Sequence, residues 1–207
     1  MLKQTFLQLL SNYSVSDKLA MELWNEIETK HTGKKRHYHT LSHLENLLLQ
    51  LLEVKTTIHH WDTVLFTLYY HDSVYNVLQS DNEEKSAALA GRRMIQMAIS
   101  AGMIADCKTQ ILATKKHLDN TDSDTNYFTD ADLSILGSDW DTYSTYFKNV
   151  RKEYAIYPEV IYLPGRRKVL AHFLAMRRIF KTDYFYTKFE QQAKQNLKTE
   201  LSLLTPC

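Results

Sequence analysis

Histidine and aspartate side chains that could ligate a metal ion occur in three separate parts of the chain. They are His39, His43, His71, Asp72, Asp130 and Asp132. His71 and Asp72 directly follow the apolar, aromatic run of residues 61–70. Imidazole and carboxylate both bind divalent cations, and a catalytic ion needs ligands from several directions. Because a bound cation lowers the pKa of a water ligand and polarises phosphorus, the pattern predicts a metal-dependent hydrolase site.

The elements that must position these side chains are expected to be helices. Glycine and proline are scarce, at five and three residues, whereas Leu, Ala, Lys, Glu and Gln are common. Apolar spacing and capping residues predict helices over residues 2–12, 17–30, 40–54, 57–70, 83–100, 103–117, 130–136, 139–156, 164–176 and 183–204. Residues 31–35, 118–126 and 158–164 are predicted to be irregular, and the last helix to end near Pro206. His39 and His43 share a helix face if their helix extends back that far.

Length and composition indicate one all-α domain, a compact bundle of about nine or ten helices. The chain has 207 residues, with a metal-site core expected over 36–137 and C-terminal helices over 139–204. Its two cysteines, Cys107 and Cys207, are too few for a disulfide framework. A net charge of +1 gives no argument for nucleic acid or a membrane surface. Without a signal core or an apolar span, a cytoplasmic protein is expected.

The ordered set of ligands resembles the HD superfamily of metal-dependent phosphohydrolases, whose fold is all-helical. Flanking phrases are similar to a bacterial group of predicted metal-dependent HD phosphohydrolases, and the likeness covers most of the chain. These phrases are Arg36-His-Tyr-His-Thr-Leu-Ser-His43, His71-Asp-Ser-Val-Tyr75, Asn82-Glu-Glu-Lys-Ser-Ala87, Thr114-Lys-Lys-His117, Asp130-Ala-Asp-Leu-Ser-Ile-Leu-Gly137, Arg151-Lys-Glu-Tyr154 and Pro164-Gly-Arg-Arg167.

The resemblance implies that His43, His71, Asp72 and Asp132 bind a divalent ion, one of Mn, Co, Ni, Fe, Zn or Mg. His39 remains an alternative to His43, and Asp130 an alternative to Asp132. The implied reaction is hydrolysis of a phosphate ester or anhydride of a small molecule, with a nucleotide as the expected class.

Further residues are expected to complete this chemistry. Several HD enzymes place an acidic residue shortly after His-Asp, but this chain reads Ser73-Val74-Tyr75. The general base is therefore expected among Asp72, Glu83 and Glu84. Arg36, with its planar guanidinium, is expected to bind phosphate. His39 and His117 are further expected substrate contacts.

Blander interpretations remain open for several of these residues. Acidic residues at a helix start and histidines at a helix end interact favourably with the helix dipole. This effect alone could explain Glu83 and Glu84 at a helix start, and His71 and His117 at helix ends. The pocket could instead bind a nucleotide or a structural metal without catalysis. A di-iron oxygenase of the same fold is a further alternative, with His39 and His117 as additional ligands. The aromatic-rich helix over 139–156 is compatible with a homodimer.

Overall fold

The computed structural model describes residues 1–204, which form ten α-helices, two 3-10 helices and no β-strand. The α-helices are α1 (Leu2–Ser11), α2 (Asp17–His31), α3 (Leu41–Glu53), α4 (Trp61–Tyr70), α5 (Asn82–Gln96), α6 (Ala101–Ala113), α7 (Ser123–Leu133), α8 (Trp140–Glu153), α9 (Glu159–Ala175) and α10 (Asp183–Leu204). The 3-10 helices are Lys55–Thr57 and Ser134–Gly137. The predicted all-α fold of about nine or ten helices is confirmed. Pro206 and Cys207, to which two expectations refer, lie outside the described residues.

Contacts between residues divide the chain into two units, Met1–Thr129 and a second that begins at Asp130. The division falls inside α7, so that helix begins in the first unit and continues past it. Within residues 1–204, no helix combines the length and the apolar character that crossing a membrane requires.

Helix α4 is the centre of the first unit. Every residue from Thr63 to Tyr70 is buried, as expected of a helix that is apolar on all sides. Helices α1, α3, α5 and α6 each pack against it. Phe6 of α1, for example, meets Tyr69 edge to face, with 4.8 Å between ring centroids. The end of α4 is therefore held from several directions, and His71 follows directly on that end.

The second unit is organised around α10, which packs on α9 and on the 3-10 helix Ser134–Gly137. A Cβ on Gly137 would lie 2.5 Å from Phe189 Cβ, so only glycine permits this approach. Glu200 is buried and accepts hydrogen bonds from Tyr143 Oη at 2.5 Å and from Arg166 Nε and Nη2 at 2.7 and 2.8 Å. A charge and its hydrogen-bonding partners are thus buried together, which limits the cost of desolvation.

Helix α7 corrects the expectation that residues 118–126 form a loop. It begins at Ser123, inside that segment. The carboxylate of Asp122 accepts hydrogen bonds from Thr125 N at 3.0 Å and from Thr125 Oγ1 at 2.5 Å. Short polar side chains favour loops, but the same side chains satisfy the free N–H groups of a helix start. Here the capping role begins a helix, which continues through the predicted helix start at 130.

Helix α9 corrects the expectation of an irregular segment between Pro158 and Pro164. The helix begins at Glu159, with Pro158 extended at its N-cap, and runs through Pro164. Proline at a helix start loses nothing, because the first N–H groups have no helical acceptor. Proline six residues in removes one hydrogen bond, and α9 tolerates that loss. Several other ends shift by a few residues, such as α5 ending at Gln96 and α6 at Ala113.

Candidate metal centre

Two neighbouring segments of the first unit carry the predicted histidine ligands and Asp72. Thr40 is the N-cap of α3, so His43 lies in the first turn of that helix, just before its buried leucines. His71 is the C-cap of α4, and Asp72 follows it. His39 precedes the start of α3, so the helix does not extend back to it. His39 and His43 are nevertheless neighbours, with ring centroids 5.8 Å apart.

The ligand atoms of these residues converge. His43 Nε2 lies 3.3 Å from His71 Nε2, and Asp72 Oδ2 lies 3.3 Å from His71 Nε2 and 3.7 Å from His43 Nε2. His39 Nε2 is 3.9 Å from the same carboxylate oxygen. Ligands about 2.1 Å from one shared ion lie about 3.0–3.4 Å apart in octahedral or tetrahedral geometry. The three closest atoms match that spacing to within a few tenths of an ångström.

The first unit thus contains a group that could hold a metal ion, in agreement with the predicted cofactor. It is formed by His43, His71 and Asp72, and its two histidines are buried. Asp132 lies on the last turn of α7, in the second unit, and is half-buried. Its place among the metal ligands stays a prediction.

Hydrogen bonding orients the His71 ring for ligation. His71 Nδ1 lies 3.0 Å from the carbonyl oxygen of Leu68, one turn earlier in α4, and donates its N–H to it. The lone pair of Nε2 then points toward His43 and Asp72. Histidines that ligate metals commonly donate the other ring N–H in this way, which fixes both the tautomer and the ring orientation.

The charge of Asp72 suits a ligand. Burial of the carboxyl raises its pKa, but the positive charge that His71, His39 and His43 carry when protonated outweighs this and holds the pKa well below its usual range. Asp72 is therefore a carboxylate at neutral pH, the form that binds a cation. For the same reason it is a weak base, which favours a ligand role over proton abstraction.

Arg36 connects the two segments that carry ligands. Its Nη1 donates to the carbonyl oxygen of His39 at 2.9 Å, and its Nη2 donates to that of Asp72 at 2.7 Å. The guanidinium carbon also lies 5.3 Å from the centroid of the Tyr75 ring. Each of these contacts holds part of the site in place. The structure thus gives Arg36 a positioning role, and its binding of phosphate stays a prediction.

Planar side chains border the solvent side of the cluster. The side chains of His43 and His71 are only 5% and 1% exposed, whereas those of His39 and Asp72 are 20% and 22% exposed. Beside them, half-buried Tyr38 lies 4.9 Å from His39 and 5.0 Å from His43 between ring centroids. Tyr75, also half-buried, lies 4.2 Å from His39.

Asp130, which the sequence left as an alternative ligand to Asp132, is engaged elsewhere in the structure. Asp130 is fully buried, and its two oxygens accept hydrogen bonds from Lys181 N at 2.9 Å, from Thr182 N at 2.7 Å and from Thr182 Oγ1 at 2.8 Å. Burial raises its pKa in spite of the nearby Lys181 ammonium. Both oxygens of Asp130 thus hold the chain before α10, which argues against a ligand role for Asp130, and the ligand role of Asp132 stays a prediction.

Glu83, Glu84 and His117 have other surroundings. Lys115 Nζ lies 2.5 Å from Glu84 Oε1, 3.7 Å from Glu83 Oε2 and 2.6 Å from the carbonyl oxygen of Ser80. His117 has a positive φ of 50°, and its N–H donates to the carbonyl oxygen of Ala113 at 2.9 Å, as is typical after a helix end. None of the three belongs to the metal-ligand group described above. Their catalytic or substrate-binding roles stay predictions.

His31 is a residue near the site that sequence reasoning missed. The sequence predicts a polar break from residue 31, but His31 is the last residue of α2 and is fully buried. Its Nδ1 donates to the carbonyl oxygen of Ile27 at 2.8 Å, and its Nε2 has no hydrogen-bond partner among the described residues. Burial, followed by the charge of Arg36, lowers its pKa to about 3. The spacing of the sequence could have indicated this burial, because His31 follows Leu23 and Ile27 at intervals of four residues on one face of α2.

Known proteins offer no relative with which the metal-ligand group of this chain could be compared. A scan against protein-family models, a search of curated proteins and a search of solved structures each find no match.

Proposed function

We propose that this chain is a metal-dependent phosphohydrolase that cleaves a phosphate ester or anhydride of a small molecule, with a nucleotide as the expected class. The convergence of His43, His71 and Asp72 at distances suited to one cation carries the proposal. The resemblance of the same residues to the HD superfamily supports it. A buried pair of imidazoles lies beside the partly exposed Asp72 carboxylate, which is the side from which a ligand from solvent would reach the cluster.

His43, His71, Asp72 and Asp132 would hold the cation. A divalent ion of Mn, Co, Ni, Fe, Zn or Mg, when bound, supplies Lewis acidity to the phosphoryl group and lowers the pKa of a water ligand. The carbonyl of Leu68 keeps the Nε2 lone pair of His71 turned toward this position.

Residues on the solvent side would handle the substrate. His39 is the imidazole with the greatest exposure in the cluster, and it lies 3.9 Å from Asp72 Oδ2. It is therefore the group best placed to donate a hydrogen bond to a phosphate oxygen or to exchange a proton with the reacting atoms. Arg36 holds the backbone of His39 and Asp72, and so maintains their separation.

The test combines metal analysis with a substrate panel. The purified protein would be analysed for bound metals and assayed with manganese, cobalt and nickel on nucleoside mono-, di- and triphosphates, guanosine tetraphosphate and an aryl phosphate. We expect about one equivalent of metal and release of phosphate or pyrophosphate. Asp72→Asn should lose both, whereas Asp106→Asn, at an exposed position on α6, should keep both. Full metal content and turnover in the Asp72 variant would refute the assignment.

A second function, binding without turnover, is favoured by one observation. Glu83, one of the acidic residues expected to act as base, lies 3.7 Å from the Lys115 ammonium and does not belong to the metal-ligand group. Stoichiometric metal and measurable nucleotide affinity, together with no product from any compound in the panel, would establish this function in place of hydrolysis.

A further inference from the structure

Access to the cluster is one-sided, and Tyr38 borders the accessible side. The His43 and His71 side chains are almost completely buried, so a ligand from solvent reaches the cluster at Asp72 and His39. Tyr38 is half-buried and its ring lies within 5.0 Å of both the His39 and His43 rings, centroid to centroid. A molecule whose phosphate lies against Asp72 and His39 therefore has its remaining atoms close to this ring.

Tyr75 borders the same side but has a different role. Its ring is closer to parallel with that of His39, at 4.2 Å and 32°, and the guanidinium of Arg36 lies 5.3 Å from its centroid. Tyr75 therefore supports His39, together with Arg36. Tyr38 instead meets His39 at 80° and His43 at 49°, so its ring plane differs from those of both imidazoles.

The backbone holds Tyr38 at a defined position. The N–H of Thr40 donates to the carbonyl oxygen of Tyr38 at 2.7 Å, and Thr40 is also the N-cap of α3. The backbone of the tyrosine is thus held by a tight turn at the start of α3. A preorganised ring loses little conformational freedom when a ligand packs on it, which favours affinity.

We propose that Tyr38 packs against the base of a nucleoside phosphate and selects such compounds over phosphorylated compounds that lack an aromatic ring. This inference rests on the proposed function, because it places the phosphate at the metal-ligand cluster. Stacking suits a tyrosine because every base presents a π-face, so it selects for a base without selecting among bases. A single sugar joins the base of a nucleotide to its phosphate, so the base lies near Tyr38 while the phosphate stays at Asp72 and His39.

The test compares adenosine 5′-monophosphate with ribose 5-phosphate, in which a hydroxyl group takes the place of the base. Removing one base–aromatic contact should lower kcat/KM for the nucleotide about five- to 150-fold in Tyr38→Leu, with little change for the sugar phosphate. Tyr38→Phe and Tyr38→Trp keep a ring and should keep the preference for the nucleotide. Tyr75→Leu should lower kcat/KM for both substrates by similar factors, because it acts through His39. An aryl phosphate tests whether any planar ring suffices.

Metal content and far-UV circular dichroism of every variant separate recognition from folding. If Tyr38→Leu loses metal or structure, the comparison passes to Tyr38→Trp, whose loss of nucleotide preference would overturn the inference. Equal losses for both substrates in a folded, metal-loaded Tyr38→Leu would also overturn it. If the wild type turns over nothing, hydrolysis fails, and the two compounds are compared by calorimetric Kd instead. Equal affinities for the wild type would then refute the role of Tyr38.

Discussion

His31 makes the stability of the protein depend on pH in a way that one substitution should remove. The imidazole is fully buried, and its pKa is lowered to about 3 by burial and by Arg36. A histidine in an unfolded chain has a pKa of about 6.5. As the pH falls below that value, the unfolded chain binds a proton that folded His31 does not bind, so acidification favours unfolding.

The size of the effect follows from these two pKa values. Between them, the free energy of unfolding falls by up to about 1.4 kcal/mol per pH unit from this group alone. From pH 7 to pH 5 the loss is about 2 kcal/mol, and it levels off near pH 3, where the folded residue also becomes protonated. His31→Leu removes the titrating group, and the unpartnered Nε2 means that only the hydrogen bond to Ile27 is lost with it.

Urea unfolding at pH 7, 6 and 5 measures the difference. A chelator is present throughout, so that release of metal does not contribute. The wild type should lose about 2 kcal/mol more than His31→Leu between pH 7 and 5, whatever the stability of the variant at pH 7. His59→Leu, which replaces an exposed histidine of the same unit, should follow the wild type. Parallel curves for the wild type and His31→Leu would refute the assignment of a buried, neutral imidazole.

Three further predictions concern positions described above. Arg36→Gln should weaken metal binding about 10- to 100-fold without removing any ligand, measured by competition with a chelator; unchanged affinity would contradict the positioning role. Gly137→Ala should cost about 1–3 kcal/mol in urea unfolding, because its Cβ would meet Phe189. The matched control is Gly102→Ala in α6, where an added Cβ would have nothing within 4 Å; it should stabilise the protein by about 0.5–1 kcal/mol. A Gly137→Ala variant as stable as the wild type would contradict the close approach to Phe189. Glu200→Leu should cost about 3–5 kcal/mol, and combining it with Arg166→Leu should restore part of this loss in the same assay; additive losses would contradict a shared buried pair.

The parts of the fold that sequence predicted well are those where one physical effect dominates. The run that forms α4 has no charged residue after Asp62 and consists mainly of apolar and aromatic residues, so that only a buried position accommodates it. Prediction failed where one residue type supports two outcomes. Asp122 and Ser123 belong to a loop-forming composition, yet they begin α7. Pro164 normally ends a helix, but α9 starts early enough to include it.

In the candidate site, too, some features could be predicted from the sequence and others could not. The types of the ligands and their order in the chain, together with the resemblance to the HD superfamily, indicated His43, His71 and Asp72 and left His39 as an alternative to His43, because metal chemistry restricts which side chains serve. The role of Arg36 was not visible, since its acceptors are backbone carbonyls of His39 and Asp72, and every residue has such a carbonyl. Burial of His31 was also hidden, because a single polar residue at a helix end is normally exposed.

The burial of α4 on all sides also bears on the order in which the first unit assembles. Because α1, α3, α5 and α6 all pack on this helix, we expect its end to reach its final position only after these neighbours have docked. The hydrogen bond to Leu68 sets the orientation of the His71 ring locally, but the position of that ring relative to His43 depends on these neighbours. We therefore expect the His71 amide to exchange with deuterium only when the whole unit opens. Tight metal binding in a refolding experiment would then mark the completion of folding, since partly assembled chains would lack the converged ligands.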